Sequence, residues 1–150
     1  MSRVAYTKLL PDTAKNGTNR NASTITKDRL VSAGTPTGQE FAIDGANVGG
    51  VSTIVGAIQE DIEAGETGTV YGPGSIVQLE NDGTGTLAYG VELYVVAGGS
   101  LAASGRVRGR PATTGHHTLI GRCLSRTTVA ASAGAKVLVE LCAPTPVYVP

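Results

Sequence analysis

Glycine-centred turn signals interrupt this chain so often that no long helix fits between them. From Phe41 onward they fall at Glu63-Ala-Gly-Glu, Gly72-Pro-Gly, Asn81-Asp-Gly, Ala97-Gly-Gly and Ser132-Ala-Gly. Glycine supplies positive φ in tight turns and weakens helix interiors, so 21 glycines in 150 residues predict many turns and short strands. Strands are expected near 51–59, 67–71, 75–79, 91–96, 100–103, 106–110, 118–125, 135–142 and 146–149. Short strands divided by regular turn signals indicate an all-β sandwich or small barrel. With one Phe, five Tyr and no Trp, its core must come from Val, Ile, Leu and Ala. One unit occurs twice, as VGAIQEDIEAGETGTV (55–70) and IGRCLSRTTVAASAGAKVLV (120–139). Each begins with a β-branched residue and glycine (Val55-Gly56, Ile120-Gly121), runs as a strand, turns through Ala-Gly and ends in valine. Two similar hairpin units are therefore expected.

Residues 1–40 differ in composition, with Gly, Asn, Thr, Ser and Pro dominating from Asp12 to Gln39. This stretch holds too little apolar surface to fold alone. It reads as a disordered tail or as an extended arm that orders on a partner, ahead of a β-domain spanning 41–150. Charge is segregated too. Residues 1–39 carry six basic and two acidic side chains, residues 40–105 nine acidic and no basic, and residues 106–150 six basic and one acidic. The net charge of zero hides this asymmetry, which concerns contacts rather than fold.

No apolar run is long enough for a membrane-spanning helix, and MSRVAYTKLLPDTAKNG does not read as a secretory signal. The Asn16-Gly17-Thr18 and Asn21-Ala22-Ser23 triplets are accordingly not expected to be glycosylated. Cys123 and Cys142 do not make a disulfide framework and read as small buried thiols on successive strands. His116-His117 reads as a loop without metal partners at useful spacing. No phosphate-binding loop, dinucleotide fingerprint or nucleophile elbow occurs, and no enzymatic activity is expected.

Two charged groups stand out. Arg106, Arg108 and Arg110 alternate in GRVRGRP, so on a strand their guanidinium groups share one face. That stripe suits acidic protein surface, or it is a solvated edge closed by Pro111. Nucleic acid is disfavoured, because no aromatic side chains interleave. Glu60, Asp61, Glu63 and Glu66 cluster around a turn whose spacing matches no dedicated calcium loop. They read as a solvated turn or as a subunit contact with the arginine stripe.

From Val55 to Leu141 the chain resembles the small, Gly-rich capsid decoration (cement) proteins of tailed bacteriophages. The resemblance rests on VGAIQEDIEAGETGTV, YGVELYVVAGGSLAAS and IGRCLSRTTVAASAGAKVLVEL, in that order. It implies a small β-barrel or sandwich of β-tulip type, often trimeric, clamped onto the outside of an icosahedral head. It implies no catalysis, no cofactor, no nucleic acid and no membrane. The implied partners are the major capsid protein and the chain itself as a homotrimer. The implied location is the outer capsid surface of the virion, assembled in the host cytoplasm. An N-terminal arm over neighbouring subunits is also implied, with Tyr6, Leu9, Leu10, Ile25, Leu30 and Val31 spaced as capsid-binding anchors. In a trimer, the acidic 60–66 turn of one subunit is expected to approach the 106–110 stripe of the next. A tail or neck component is the alternative. A carbohydrate-binding β-sandwich is a weaker one, since sugar platforms use exposed rings.

Overall fold

A computed structural model describes residues 14–46, 54–96 and 104–150. Ten strands form within these residues: β1 Ala14–Asn19, β2 Arg29–Ala33, β3 Ala42–Gly45, β4 Ile54–Ile58, β5 Thr67–Tyr71, β6 Ile76–Glu80, β7 Glu92–Val95, β8 Val107–Arg108, β9 Gly115–Cys123 and β10 Lys136–Val149. No described segment is helical, as the all-β expectation required. The first five strands close into a barrel in the order β1-β3-β2-β4-β5, and the last five form a sheet in the order β6-β10-β9-β7-β8.

The two sets are built alike, well beyond the duplicated hairpin. β1 runs antiparallel to β5, and β6 antiparallel to β10. β2 lies between β3 and β4, and β7 between β8 and β9, all antiparallel. Asn19 pairs in parallel with Ile43 to close the barrel, and a parallel bridge from Asn81 to Val107 occupies the same place in the second sheet. The antiparallel bridge Ile25–Ile62 recurs as Leu87–Val129. The second sheet is therefore a second barrel closed by a single bridge.

The registers match residue by residue. In β4 the pairing with β2 skips Val55 before Gly56, and in β9 the pairing with β7 skips Ile120 before Gly121. The duplicated dipeptides are β-bulges, each adding one unpaired residue that bends its strand. Both glycines sit where a partner backbone crosses. A Cβ on Gly56 would collide with the carbonyl oxygen of Tyr71, and one on Gly121 with that of Glu140.

Each unit also holds one fully buried asparagine at the same point. Asn19 Nδ2 donates to the carbonyls of Ser23 (2.9 Å) and Ile62 (2.8 Å), and its Oδ1 accepts the Asn21 amide at 2.7 Å. Asn81 Nδ2 donates to Gly85 (2.8 Å) and Ala130 (2.9 Å), and its Oδ1 accepts the Gly83 amide at 3.2 Å. A buried amide is tolerated because its donors and acceptor are all used.

Inside the first barrel pack Ile25, Val31, Ile43, Ile58, Ile62 and Val70. Their counterparts Leu87, Leu93, Val107, Cys123, Val129 and Val139 lie in the larger core cluster. Volume is balanced differently in each. The first barrel has larger Ile43 and Ile62 and a cross-strand glycine pair, Gly17 and Gly68. A Cβ on Gly17 would stand 2.7 Å from Val70 Cγ2, and one on Gly68 2.5 Å from Ile62 Cδ1. The second has smaller valines and a Leu79–Val137 pair instead.

Several expectations change. The boundary at residue 40 cuts through the first barrel, because β1 and β2 are two of its strands. Ile25, Leu30 and Val31 are core residues at 2%, 1% and 0% exposure, so they are not free anchors for a capsid. Tyr6, Leu9 and Leu10 lie outside the described residues, as does the strand expected at 100–103. The pieces expected at 135–142 and 146–149 form one strand, β10, with a register shift between Leu141 and Thr145. His116 and His117 lie in β9 rather than a loop. Both cysteines are free, but Cys142 is exposed and Cys123 pairs with Val139, so they are not cross-strand neighbours.

Candidate functional site

The junction between the two units concentrates paired charge, part of it buried. From the first unit come Asp28 and Arg29, from the second Glu80, Arg106 and Lys136. Lys136 Nζ reaches Asp28 Oδ2 at 2.8 Å and Glu80 Oε1 at 3.2 Å. Glu80 Oε2 takes Arg106 Nε at 3.2 Å and Arg29 Nη2 at 3.4 Å. Arg29 Nη1 donates to the Ser104 carbonyl at 3.0 Å, and the Leu30 amide to the Gly105 carbonyl at 2.9 Å. Gln59 brackets Gln78, donating to its carbonyl and accepting its amide, both at 2.7 Å.

Asp28 has φ 59°, the single positive value outside glycine among the described residues. Its counterpart is Gly90 at φ 81°; their amides donate to Ile58 and Cys123, matched positions of β4 and β9. Aspartate is one of the residue types that tolerates this region, and here its carboxylate holds Lys136 and accepts Gln78 Nε2 at 3.2 Å. In the first unit the pair matching Glu80–Lys136 is Thr18–Thr67, joined by their hydroxyls at 2.9 Å. Ion pairing thus appears only where this strand pair faces the other unit. Burial lowers the Arg29 pKa from its ordinary value against the pull of Glu80. For Lys136, burial pulls downward, but the hydrogen bonds to Asp28 and Glu80 outweigh it and the pKa is raised. That stabilisation is fully present below the ordinary lysine pKa and is lost only as strongly alkaline pH deprotonates the amine.

Glu80→Gln is expected to destabilise the fold by about 3 kcal/mol, because it removes the carboxylate that Arg29, Arg106 and Lys136 share. Urea unfolding checks this; an unchanged midpoint would show the cluster to be energetically neutral. Glu40 is held at about 2 by the Thr37 amide, its own amide and Arg20. Its contribution is present above its ordinary pKa of 4.5 and lost as pH falls from there through about 2. The 37–40 segment is expected to loosen in that window, read from Thr37 and Glu40 amide shifts by NMR.

The arginine stripe is therefore divided. Arg106 and Arg108 are bound within the chain, Arg108 Nη2 reaching Asp82 Oδ2 at 2.8 Å. They staple β8 to the end of β6, the seam that carries one bridge where the first barrel has two paired residues. Arg110 is exposed, and no ion pair holds it among the described residues. It borders a groove of about 370 Å³ shared with Thr84, Thr86, Arg108 and Thr113. Glu60, Asp61, Glu63 and Glu66 are all exposed on the turn before β5. Glu60 accepts the Thr69 amide at 3.2 Å and Asp61 the Lys27 amide at 2.8 Å. The matching turn of the second unit, VAASAGA at 129–135, has no acid. Within one chain the four carboxylates form no ion pair with the stripe.

The outer faces of the two units differ in kind. Leu30, Ala57 and Tyr71 are register neighbours across β2, β4 and β5 and belong to the cluster that joins the units. Their counterparts across β7, β9 and β10 are Glu92, Arg122 and Glu140, all exposed. Sequence reasoning missed the junction altogether. The visible signal was a second repeat, NRNASTI at 19–25 and NDGTGTL at 81–87.

The sequence matches no protein-family model, and none of the curated proteins matches it by sequence. One solved structure with the same fold is the N base of head fiber gp8.5 in bacteriophage phi29. It is 13% identical, with a TM-score of 0.57 over 88% of this chain and 95% of that one.

Proposed function

We propose that this protein is a structural component of a bacteriophage virion that attaches to the head from outside, as a homotrimer bridging subunits of the major capsid protein. The observation that carries this reading is the fold shared with a head-fiber base along nearly the whole of both chains. Two β-units joined through a charged junction suit a passive load-bearing role. The reading assigns the protein no reaction and no cofactor. A specific observation favours a second reading within the same class. The structural neighbour is described as the base of a fiber, so the chain is alternatively the foot of a projecting appendage.

Purified protein added to heads that lack it is expected to co-sediment with them and raise their resistance to heat. Electron cryomicroscopy of those heads separates the two readings, a continuous outer lattice supporting a clamp and isolated projections a foot. Protein that stays in the supernatant at all salt concentrations overturns both. Light scattering is expected to return a trimer at micromolar concentration, and a monomer on and off heads would exclude the oligomer.

Arg110→Gln is expected to weaken head or subunit association several-fold at low salt and little at high salt, as a screened surface charge does. The fold should be unaffected, because Arg110 pairs with no described residue. Arg106→Gln and Arg108→Gln should instead lower the melting temperature, since each removes an internal ion pair.

A further inference from the structure

Residues 84–86 and 108–113 form the two walls of the groove of about 370 Å³ that Arg110 borders. Asp82 ties both walls. Its Oδ1 accepts the Thr84 amide at 2.9 Å and the Thr84 hydroxyl at 2.7 Å, and its Oδ2 takes Arg108 Nη2 at 2.8 Å. Farther along the second wall, His117 Nε2 donates to the Thr113 carbonyl at 2.9 Å. The groove is thus fixed by bonds within the chain before anything enters it. It holds two guanidinium groups against the one carboxylate of Asp82, whose side chain is only 8% exposed, so the surface it offers to solvent is cationic.

Barrel closure accounts for Arg108 but not for Arg110. By register, Arg108 corresponds to Asp44 of the first unit, and Arg110, two residues on, to Ala46. Ala46 is 1% exposed in the core, whereas Arg110 stands in solvent with no ion pair among the described residues. The dibasic seam is therefore peculiar to the second unit. The acidic turn is its converse and is peculiar to the first. There Glu60 and Asp61 are engaged by the Thr69 and Lys27 amides. Glu63 and Glu66 are exposed, and their carboxylates make no hydrogen bond or ion pair among the described residues. Each unit carries one half of a complementary pair, and the two halves form no ion pair within one chain.

We propose that the groove seats the acidic turn of a second copy, with Glu63 and Glu66 as the carboxylates that enter and Arg108 and Arg110 as the groups that receive them. The contact rests on the self-association proposed above and gives it a surface. Of the expected arginine stripe, Arg106 takes no part, because Glu80 holds it. The two joined surfaces differ, so the contact is heterologous, and each open series of copies keeps a free turn and a free groove until a ring closes. Guanidinium and carboxylate can meet through two parallel hydrogen bonds, which fixes register. Exposed pairs of this kind contribute selectivity and encounter rate more than affinity.

Charge reversal in the full-length protein tests the contact, with self-association read by sedimentation velocity at low salt. Arg110→Glu is expected to weaken association about tenfold, and so is Glu63→Arg combined with Glu66→Arg. All three changes in one chain should restore most of the lost association, because both surfaces are then inverted together. Circular dichroism melts should be unchanged throughout, since none of the three side chains is bonded to a described residue. An oligomer that ignores both reversals overturns the proposal and leaves self-association standing. So does loss from either reversal that the combination does not rescue. Loss of head binding by Arg110→Glu with the oligomer intact assigns the groove to the shell and overturns the proposal as well. A chain that stays monomeric under every condition overturns self-association itself, and this contact with it.

Discussion

A chain that begins at Gln39 is expected not to fold. The composition of residues 1–40 reads as a detachable arm, yet such a chain lacks β1 and β2, the strands that flank β3 in the first barrel. Removal opens the seam between β1 and β5 and strips β4 of its partner on the other side. Ile25, Leu30 and Val31 go with them. Burying such side chains contributes ~1.5–3 kcal/mol each, so their loss alone approaches the ~5–15 kcal/mol total stability of a domain. Asn19 also goes, leaving the Ile62 carbonyl without its amide donor. A chain beginning at Ala14 is expected to keep a cooperative melt. Circular dichroism of the two proteins decides, and a cooperative melt for the shorter one would show that the second unit with β3–β5 is self-sufficient.

The second large effect is at the bulge glycines. Gly56→Ala and Gly121→Ala are each expected to cost on the order of 3 kcal/mol, the upper end for overpacking. The added methyl meets a backbone carbonyl oxygen, not a flexible side chain, so relief requires the partner strand to move. For a chain of this length that lowers the melting temperature by roughly 10 °C. Gly65→Ala separates this clash from backbone preference. Gly65 has φ 80° with nothing within 4 Å of its missing Cβ, so alanine there should cost only ~1–2 kcal/mol. Calorimetry that ranks Gly65→Ala as the worst of the three would refute the close-approach account.

What could be read from the sequence follows from where each strand keeps its apolar side chains. β6 and the inner part of β10 carry their own, at alternate positions between glycine turns, and stand out. β1 does not. In AKNGTN the inward positions are Gly17 and Asn19, and the space at Gly17 is filled by Ile43 and Val70 from other strands of the barrel. A strand whose core contribution is empty space and an amide looks like a loop. Leu30 and Val31 were visible as apolar, but their burial inside the chain depends on β3 and β4, which are remote in sequence. The arginine stripe was correctly seen as alternating. That its first two members meet Glu80 and Asp82 is a product of barrel closure, which no local spacing encodes.

The contrast between Leu30–Ala57–Tyr71 and Glu92–Arg122–Glu140 makes the two units unequal as stacking surfaces. Repeated units that stack through one apolar face will keep adding neighbours until some unit presents a surface water prefers. At the matched positions the second unit carries carboxylate, guanidinium and carboxylate, all exposed, so it does not present that apolar face again. A charged face in place of the apolar one disfavours open-ended stacking through that surface. The same three positions withhold from any further unit the apolar contact that joins the first two.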